Sequence, residues 1–273
     1  MTLQTTDLRL PFSCHEEHEL FLVGDVHGCA DELEELIGHA ASKPKVAGRR
    51  RIFVIVGDVI DRGPASLRAL DLIIGARERI GADDVVHLMG NHEQLLKIAL
   101  IGGDDPASAN GLRVWARNGG RRLMNELLTL HPDDPELTLA RGLGPTRLAH
   151  LDRLSSHFRS GRVLAVHAGL SPYIPLDGFL ASHWAIDPGN FAEERHWAWI
   201  REPFLDFIPS EGKGHHSFFV VHGHTKPDSD QVSIREQVRR CRLNLDGGSY
   251  ETGVVRMARI VGRECELTLS STY

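Results

Sequence analysis

Three short β-branched runs near the start of the chain each break directly into a polar, glycine-bearing turn and then into a helical period. Residues 19–23 (ELFLV) run into GDVHG, 51–56 (RIFVIV) into GDVIDRG, and 84–89 (DVVHLM) into GNHE. Leu33, Leu36, Ile37 and Ala40 mark a helix over 31–41, Pro64 opens a second that Leu67, Leu70 and Ile74 continue, and a third reads over 92–101. Strands alternating with helices imply parallel βαβ units with right-handed crossovers. Ligands of open α/β sheets gather beyond the carboxyl ends of the strands, so the three turns are expected to meet at one site. Their glycines permit backbone conformations closed to other residues, which lets side chains from adjacent turns converge.

The pattern changes between Gly102 and Ser160. GGDDPASANG reads as a loop and the following segments, VWARNGGRRLMNELLTL among them, as helices without strands. A helical insertion at about 102–160 is expected, placed as a lid or a substrate-facing cap. Strands resume at 162–166 before HAGL, at 218–221 before HGHT and at 242–245 before DGGS. Residues 254–261 and 266–269 read as an antiparallel pair. No repeat or linker divides the chain, and 1–273 reads as a single catalytic domain.

Apolar residues make up 41% of the 273, enough for a large core, and the formal net charge of −6 supplies no basic footprint for a nucleic-acid partner. The segment MTLQTTDLRLPFSCHEEHEL has neither a positive n-region nor an apolar h-region, so no signal peptide is expected, and no apolar run is long enough for a membrane span. Cys14, Cys29, Cys241 and Cys265 form no CxxC pair, which argues against disulfides or a thiolate metal site and fits a reducing cytoplasm. Nothing in the sequence defines an oligomeric state.

The strand-end motifs offer carboxylates (Asp25, Asp58), a carboxamide (Asn91) and imidazoles (His27, His167, His224). Mixed oxygen and nitrogen donors without sulfur suit Mn²⁺, Fe or Zn²⁺. One carboxylate can bridge two ions, and two ions about 4 Å apart can clamp a phosphoryl group and activate water.

The ordered set GDVHG, GDVIDRG, GNHE, HAGL and GHT resembles the phosphoprotein phosphatase (PPP) family of calcineurin-like metallophosphoesterases, most closely its bacterial and phage serine/threonine phosphatase branch. The resemblance runs from Gly24 to about Gly253. It implies an α/β fold, a metallophosphoesterase-like β-sandwich of mixed sheets flanked by helices. It also implies two divalent ions, Mn in the first instance with Fe or Zn as alternatives. Asp25 and His27 would hold the first ion, Asp58 would bridge both, and Asn91, His167 and His224 would hold the second. His92 matches the proton donor to the leaving oxygen and Asp61 the acid that orients it, a pairing expected to raise the imidazole pKa. Arg62 and Arg201, in WIRE, match the phosphate-binding guanidiniums.

His222 is assigned to packing rather than ligation, because GHT singles out His224. His87 reads as a satisfied buried histidine, His215 and His216 as solvated, and Trp115, Trp197 and Trp199 as core. Asn118-Gly119-Gly120 reads either as shaping the entrance or as a plain loop between helices. The expected activity is hydrolysis of phosphate monoesters, as a serine/threonine or dual-specificity protein phosphatase acting on phosphorylated Ser, Thr or Tyr, or on small phosphoesters. The alternative is a symmetrical dinucleoside tetraphosphate hydrolase, and a less favoured third is a catalytically inert phosphoprotein-binding scaffold.

Overall fold

The computed structural model describes residues 2–101, 106–134, 137–187 and 192–272. Among the described residues, ten strands form two sheets: β1 Thr2–Arg9, β2 His18–Val23, β3 Arg50–Ile55, β4 Asp84–His87, β5 His157–Ser160, β6 Val163–Val166, β7 Phe219–His222, β8 Arg242–Asn244, β9 Val254–Val261 and β10 Glu264–Ser271. The first sheet has the order β1-β10-β9-β2-β3-β4 and the second β5-β6-β7-β8. Strands β2, β3 and β4 are parallel, as the helical crossovers require, and so are β6, β7 and β8. The remaining pairs are antiparallel, so both sheets are mixed.

The helices are α1 Ala30–Ser42, α2 Ser66–Ile74, α3 Ala76–Ile80, α4 Asn91–Ile101, α5 Pro106–Trp115, α6 Arg121–Leu130, α7 Leu139–Leu151, α8 Leu176–Leu180, α9 Ile234–Arg239 and α10 Ser249–Thr252. Among the described residues, none is long and apolar enough to cross a membrane.

Side chains alternate across a strand, so a strand covered on both faces reads as one unbroken apolar run. Leu20, Leu22, Ile52 and Val54 point into the layer between the sheets, against Val163, Ala165, Phe219, Val221 and Leu243. Phe21, Val23, Phe53 and Ile55 point the other way, onto Leu33, Leu36, Leu70 and Ile73 of α1 and α2. Trp115, Leu123, Leu127 and Leu143 from the expected insertion join this same cluster. The insertion is therefore part of the packed body rather than a detached lid, and it ends in a strand, β5, that its composition does not announce. All four cysteines are free and buried.

Strand β1 (TLQTTDLR) is the other unexpected element: it is largely exposed and exists through its register with β10, Thr2 opposite Ser271 to Arg9 opposite Glu264. His215 is a correction. Its local sequence, GKGHHS, suggests a solvated loop, yet the ring is buried against Phe204 and Phe207 and bonded to the Arg240 carbonyl. His216 is partly buried and bonded to the Ser171 carbonyl.

One charged group is sealed inside the first sheet. Glu19 on β2, with no exposed surface, bonds Arg51 Nε of β3 at 3.0 Å and Arg259 Nη2 of β9 at 2.6 Å. Arg51 gives further hydrogen bonds to the carbonyls of Lys43 and Ile80. Truncating one member of a buried ion pair strands its partner and costs about 3–5 kcal/mol, whereas an exposed pair contributes about 1 kcal/mol or less. Urea unfolding should therefore show Glu19→Ala losing several kcal/mol, while Glu264→Ala, at the exposed Arg9 pair, stays within about 1 kcal/mol.

Candidate metal centre

The site lies where the carboxyl ends of β2, β3, β4, β6 and β7 point toward one another. Each strand hands the chain to a tight turn: Asp25 and His27 follow β2, Asp58 follows β3, Asn91 opens α4 after β4, His167 follows β6 and His224 follows β7. Five non-glycine residues of these turns sit in the left-handed region: His27 (φ 44°), Asp58 (52°), Asp61 (70°), Arg62 (63°) and His224 (67°). Such conformations cost about 1–3 kcal/mol each and persist only where the surroundings enforce them. Gly57 (φ 112°) makes the close approach feasible, since a Cβ there would stand 2.7 Å from the His167 ring.

All six expected metal ligands are buried. The nitrogen and oxygen atoms of Asp58, His167 and His224 lie within 4.8 Å of one another, and so do those of His27, Asp58 and His92. Two ligand clusters thus share one carboxylate. Asn91 joins the first, its Oδ1 lying 3.1 Å from His167 Nε2 and 2.9 Å from His224 Nδ1. Asp25 stands beside these clusters rather than in them, its carboxylate accepting the His224 amide at 3.0 Å.

The outer nitrogens of the imidazoles are tied to backbone carbonyls: His27 Nδ1 to Ile60 at 2.9 Å, His167 Nδ1 to Val56 at 3.0 Å and His224 Nε2 to Trp199 at 3.0 Å. This arrangement fixes ring orientation and frees the inner nitrogen to ligate. Burial and the nearby Arg201 and His167 hold His224 well below its ordinary pKa, so it is neutral with a single N–H. It faces two acceptors, the Trp199 carbonyl and Asn91 Oδ1. One contact must set a lone pair against an oxygen, and a cation between them removes that conflict.

The carboxylates tell the same story. Burial, with Asp246 and Asp58 close by, pushes Asp25 well above its usual range. Burial acts on Asp58 in the same sense, but His167 and His92 hold it well below. His167, for its part, rises to about 9 against the pull of burial, because Asp58 and Asp25 keep a proton on it. The donor set is thus short of positive charge and fits divalent ions.

Two further expected residues line the same wall. His92 Nδ1 meets Asp61 Oδ2 at 2.8 Å, both groups fully buried, and His92 Nε2 has no protein partner. The expected upward shift of His92 is not found: burial, helped by Arg62 and His167, takes it down to about 4. Burial also raises Asp61 well above its usual range, against the pull of the Trp115 hydrogen bond and Arg62. Arg62 is half-buried, 3.5 Å from His27 Nε2 and stacked 4.9 Å over the Tyr250 ring. Arg201 is more exposed, reaching the His224 carbonyl at 3.3 Å and Glu193 at 3.8 Å.

His222 lies outside the clusters. It ends β7 with its ring against Phe204 and Arg242, whereas His224 occupies the left-handed turn beyond. His87 shares a 2.9 Å contact with His150, and its Nε2 has no partner, so it is buried without being fully satisfied. Trp197 and Trp199 pack in or against the core.

Three contributors escape the sequence-based set. Glu93, sealed from solvent, accepts the amides of Asp58, Val59 and Gly90 at 2.8, 2.8 and 3.0 Å, pinning two turns together. The final E of GNHE is its signal. Asp246, in DGGS, is buried near Asp25. Trp115 is core, as expected, but also gives its indole N–H to Asp61.

If these residues hold divalent ions, Mn²⁺ at a hundred times its Kd should raise the unfolding free energy by about 2.7 kcal/mol. Thermal unfolding with and without Mn²⁺ checks this. Asp58→Asn should abolish the shift and His224→Ala should reduce it, while His222→Ala should lower stability yet keep the shift. A wild-type chain indifferent to Mn²⁺ would contradict the assignment.

Residues 19–253 match the family model of the calcineurin-like phosphoesterases. Among curated proteins, the chain is similar to the symmetrical bis(5'-nucleosyl)-tetraphosphatase of Acidovorax sp. (strain JS42), 30% identical over 153 residues, which cover 56% of this chain and 44% of that one. The match thus spans less than half the length of this relative. The fold is similar to that of a cold-active protein-tyrosine phosphatase of a psychrophilic Shewanella (TM-score 0.56, 18% identity, 89% of this chain and 77% of that one). It is also similar to that of a protein serine/threonine phosphatase from Saccharomyces cerevisiae (TM-score 0.54, 14% identity, 94% and 81%). With the fold, the shared-carboxylate clusters and the matched span all in agreement, this chain belongs to the calcineurin-like phosphoesterases.

Proposed function

We propose that the chain hydrolyses the phosphoanhydride bridge of a dinucleoside polyphosphate, releasing two nucleoside diphosphates from a tetraphosphate. The observation that carries the hydrolytic reading is the pair of ligand clusters sharing Asp58, with a guanidinium and an imidazole on the same wall. The choice of substrate is supported by the symmetrical tetraphosphatases, with which the chain shares 30% identity over 153 residues. A second reading, hydrolysis of phosphorylated Ser or Thr in proteins, is favoured by the segments HAGLSP and WIRE. An inert scaffold is disfavoured, because no ligand, acid or guanidinium position is replaced.

Asp25, His27 and Asp58 would hold one divalent ion, and Asp58, Asn91, His167 and His224 the other, Mn²⁺ in the first instance. Bound there, the ions would supply electrophilic stabilisation of the phosphoryl oxygens and activation of water. Arg62, anchored at the clusters' edge, would seat a phosphoryl oxygen, and Arg201 on the rim would seat a second or a neighbouring phosphate. His92, neutral with its pKa at about 4, would pass a proton from Nε2 to the leaving oxygen while the Asp61 carboxyl, raised by burial, gives its own proton to Nδ1.

The two substrates make different demands on His92. A nucleoside diphosphate leaves as a stable anion, phosphate esters having a second pKa near 6. A serine alkoxide, far more basic, needs a proton as it departs. With Mn²⁺ present, purified chain should convert diadenosine tetraphosphate to ADP faster than it releases phosphate from a phosphopeptide. His92→Asn should lower kcat on the phosphopeptide by about 10²–10⁴-fold and on the anhydride by less. The opposite preference between substrates would return the phosphoprotein reading to first place.

A further inference from the structure

The glycine pair in WARNGG belongs to the insertion, yet it sits behind the two residues of GDVIDRG that the proposed chemistry uses. Residues Ala116–Gly120 form a kinked turn between α5 and α6, in which Gly119 leaves the helical region of backbone space. Asn118 closes the turn by donating its side-chain amide to the Val114 carbonyl at 2.9 Å. The Gly119 carbonyl accepts the Arg62 amide at 3.3 Å and the Asn118 carbonyl accepts Arg62 Nε at 3.4 Å. Gly119 has φ 120°, and a Cβ there would stand 2.6 Å from Arg62 Cγ. Gly120 is pressed equally hard against the Trp115 ring, into which a Cβ would run. Trp115, fully buried, gives its indole N–H to Asp61 Oδ2 at 2.9 Å, the same oxygen that meets His92 Nδ1 at 2.8 Å.

Asp61 and Arg62 are consecutive left-handed residues, and their own loop offers little to hold them there. Within the loop the Asp61 amide reaches Ser66 Oγ and the Gly63 amide reaches the Asp61 carbonyl. From outside the loop, His27 and the Tyr250 ring contact Arg62 and His92 contacts Asp61, while the kinked turn holds the Arg62 backbone and, through Trp115, the Asp61 carboxyl. We infer that Asn118-Gly119-Gly120 is a positioning element of the active site: Gly119 seats the Arg62 guanidinium, and Gly120, through Trp115, seats Asp61 and with it His92. This rests on the hydrolytic reading above, not on which phosphorylated substrate is used. Among the described residues no hydrogen bond joins the turn itself to a metal-ligand candidate; it reaches the clusters through Arg62, 3.5 Å from His27 Nε2, and through His92.

Gly119→Ala and Trp115→Phe separate the two halves. With p-nitrophenyl phosphate as substrate and orthophosphate as competitive inhibitor, Gly119→Ala should raise KM and the orthophosphate inhibition constant on the order of 10–100-fold. Its kcat should change far less, and its Mn²⁺ affinity by calorimetry should not change. Trp115→Phe, which keeps an aromatic ring and removes one hydrogen bond, should lower kcat about threefold to tenfold with KM preserved. In an Arg62→Ala background the Gly119→Ala effect on KM should vanish, because residues acting as one unit are non-additive. Equal losses of Gly119→Ala in the presence and absence of Arg62, or a parallel fall in Mn²⁺ affinity, would overturn the inference. If one variant fails to fold, the other still decides its own half. A chain that prefers phosphopeptides to dinucleotides would give the same pattern, so failure of the substrate assignment is distinguishable from failure of this one.

Discussion

The site hangs on the way Asp58 is gripped from every side. Its carbonyl accepts the amides of Val26 and His27, so the GDVHG turn is hydrogen-bonded to the GDVIDRG turn. Its own amide is given to Glu93, which also takes the Gly90 amide and so binds the second turn to the third. Its carboxylate receives the His92 amide on Oδ1 and faces His27 and His167 with Oδ2. A left-handed aspartate would relax if any of these restraints were absent. Because they come from both sheets, the carboxylate shared by the two ligand clusters doubles as the joint at which the sandwich closes.

Much of this was legible in the sequence, and for a physical reason. Parallel strands buried on both faces produce unbroken apolar runs, and their ends must be polar and glycine-bearing if side chains are to converge. Residues 25, 27, 58, 91, 167 and 224 are therefore marked by where they fall as well as by what they are. What stayed hidden depends on distant partners. Strand β1 carries only two apolar residues, and its place follows from pairing with β10. His215 is buried by the aromatic rings of Phe204 and Phe207, which its glycine-rich surroundings do not foretell. The His92–Asp61 pair was readable as a contact but not as an electrostatic state, because a motif records which groups meet and not how much water they have lost.

The helical insertion shows how composition can mislead about role. Read from sequence as polar and strand-free, and placed between the motif-bearing turns, it has the marks of a mobile cover. Its inner face nevertheless contributes Trp115, Leu123, Leu127 and Leu143 to the same core as α1 and α2. Contacts of this kind make it part of the wall against which substrate groups would be held.

The strand order has a consequence for how such a chain is made. Strand β9 lies between β2 and β10, so a hairpin made after residue 224 is laid against the strand that leads into GDVHG. Long-range pairing of this sort is slow compared with local helix formation. A nascent chain that already carries all six ligand positions, the last at residue 224, still lacks the strand that covers β2. Its backbone donors and acceptors then form an open edge, the kind of surface on which chains join one another instead of folding. The emerging protein thus carries an open edge in the interval between completing these turns and completing its sheet.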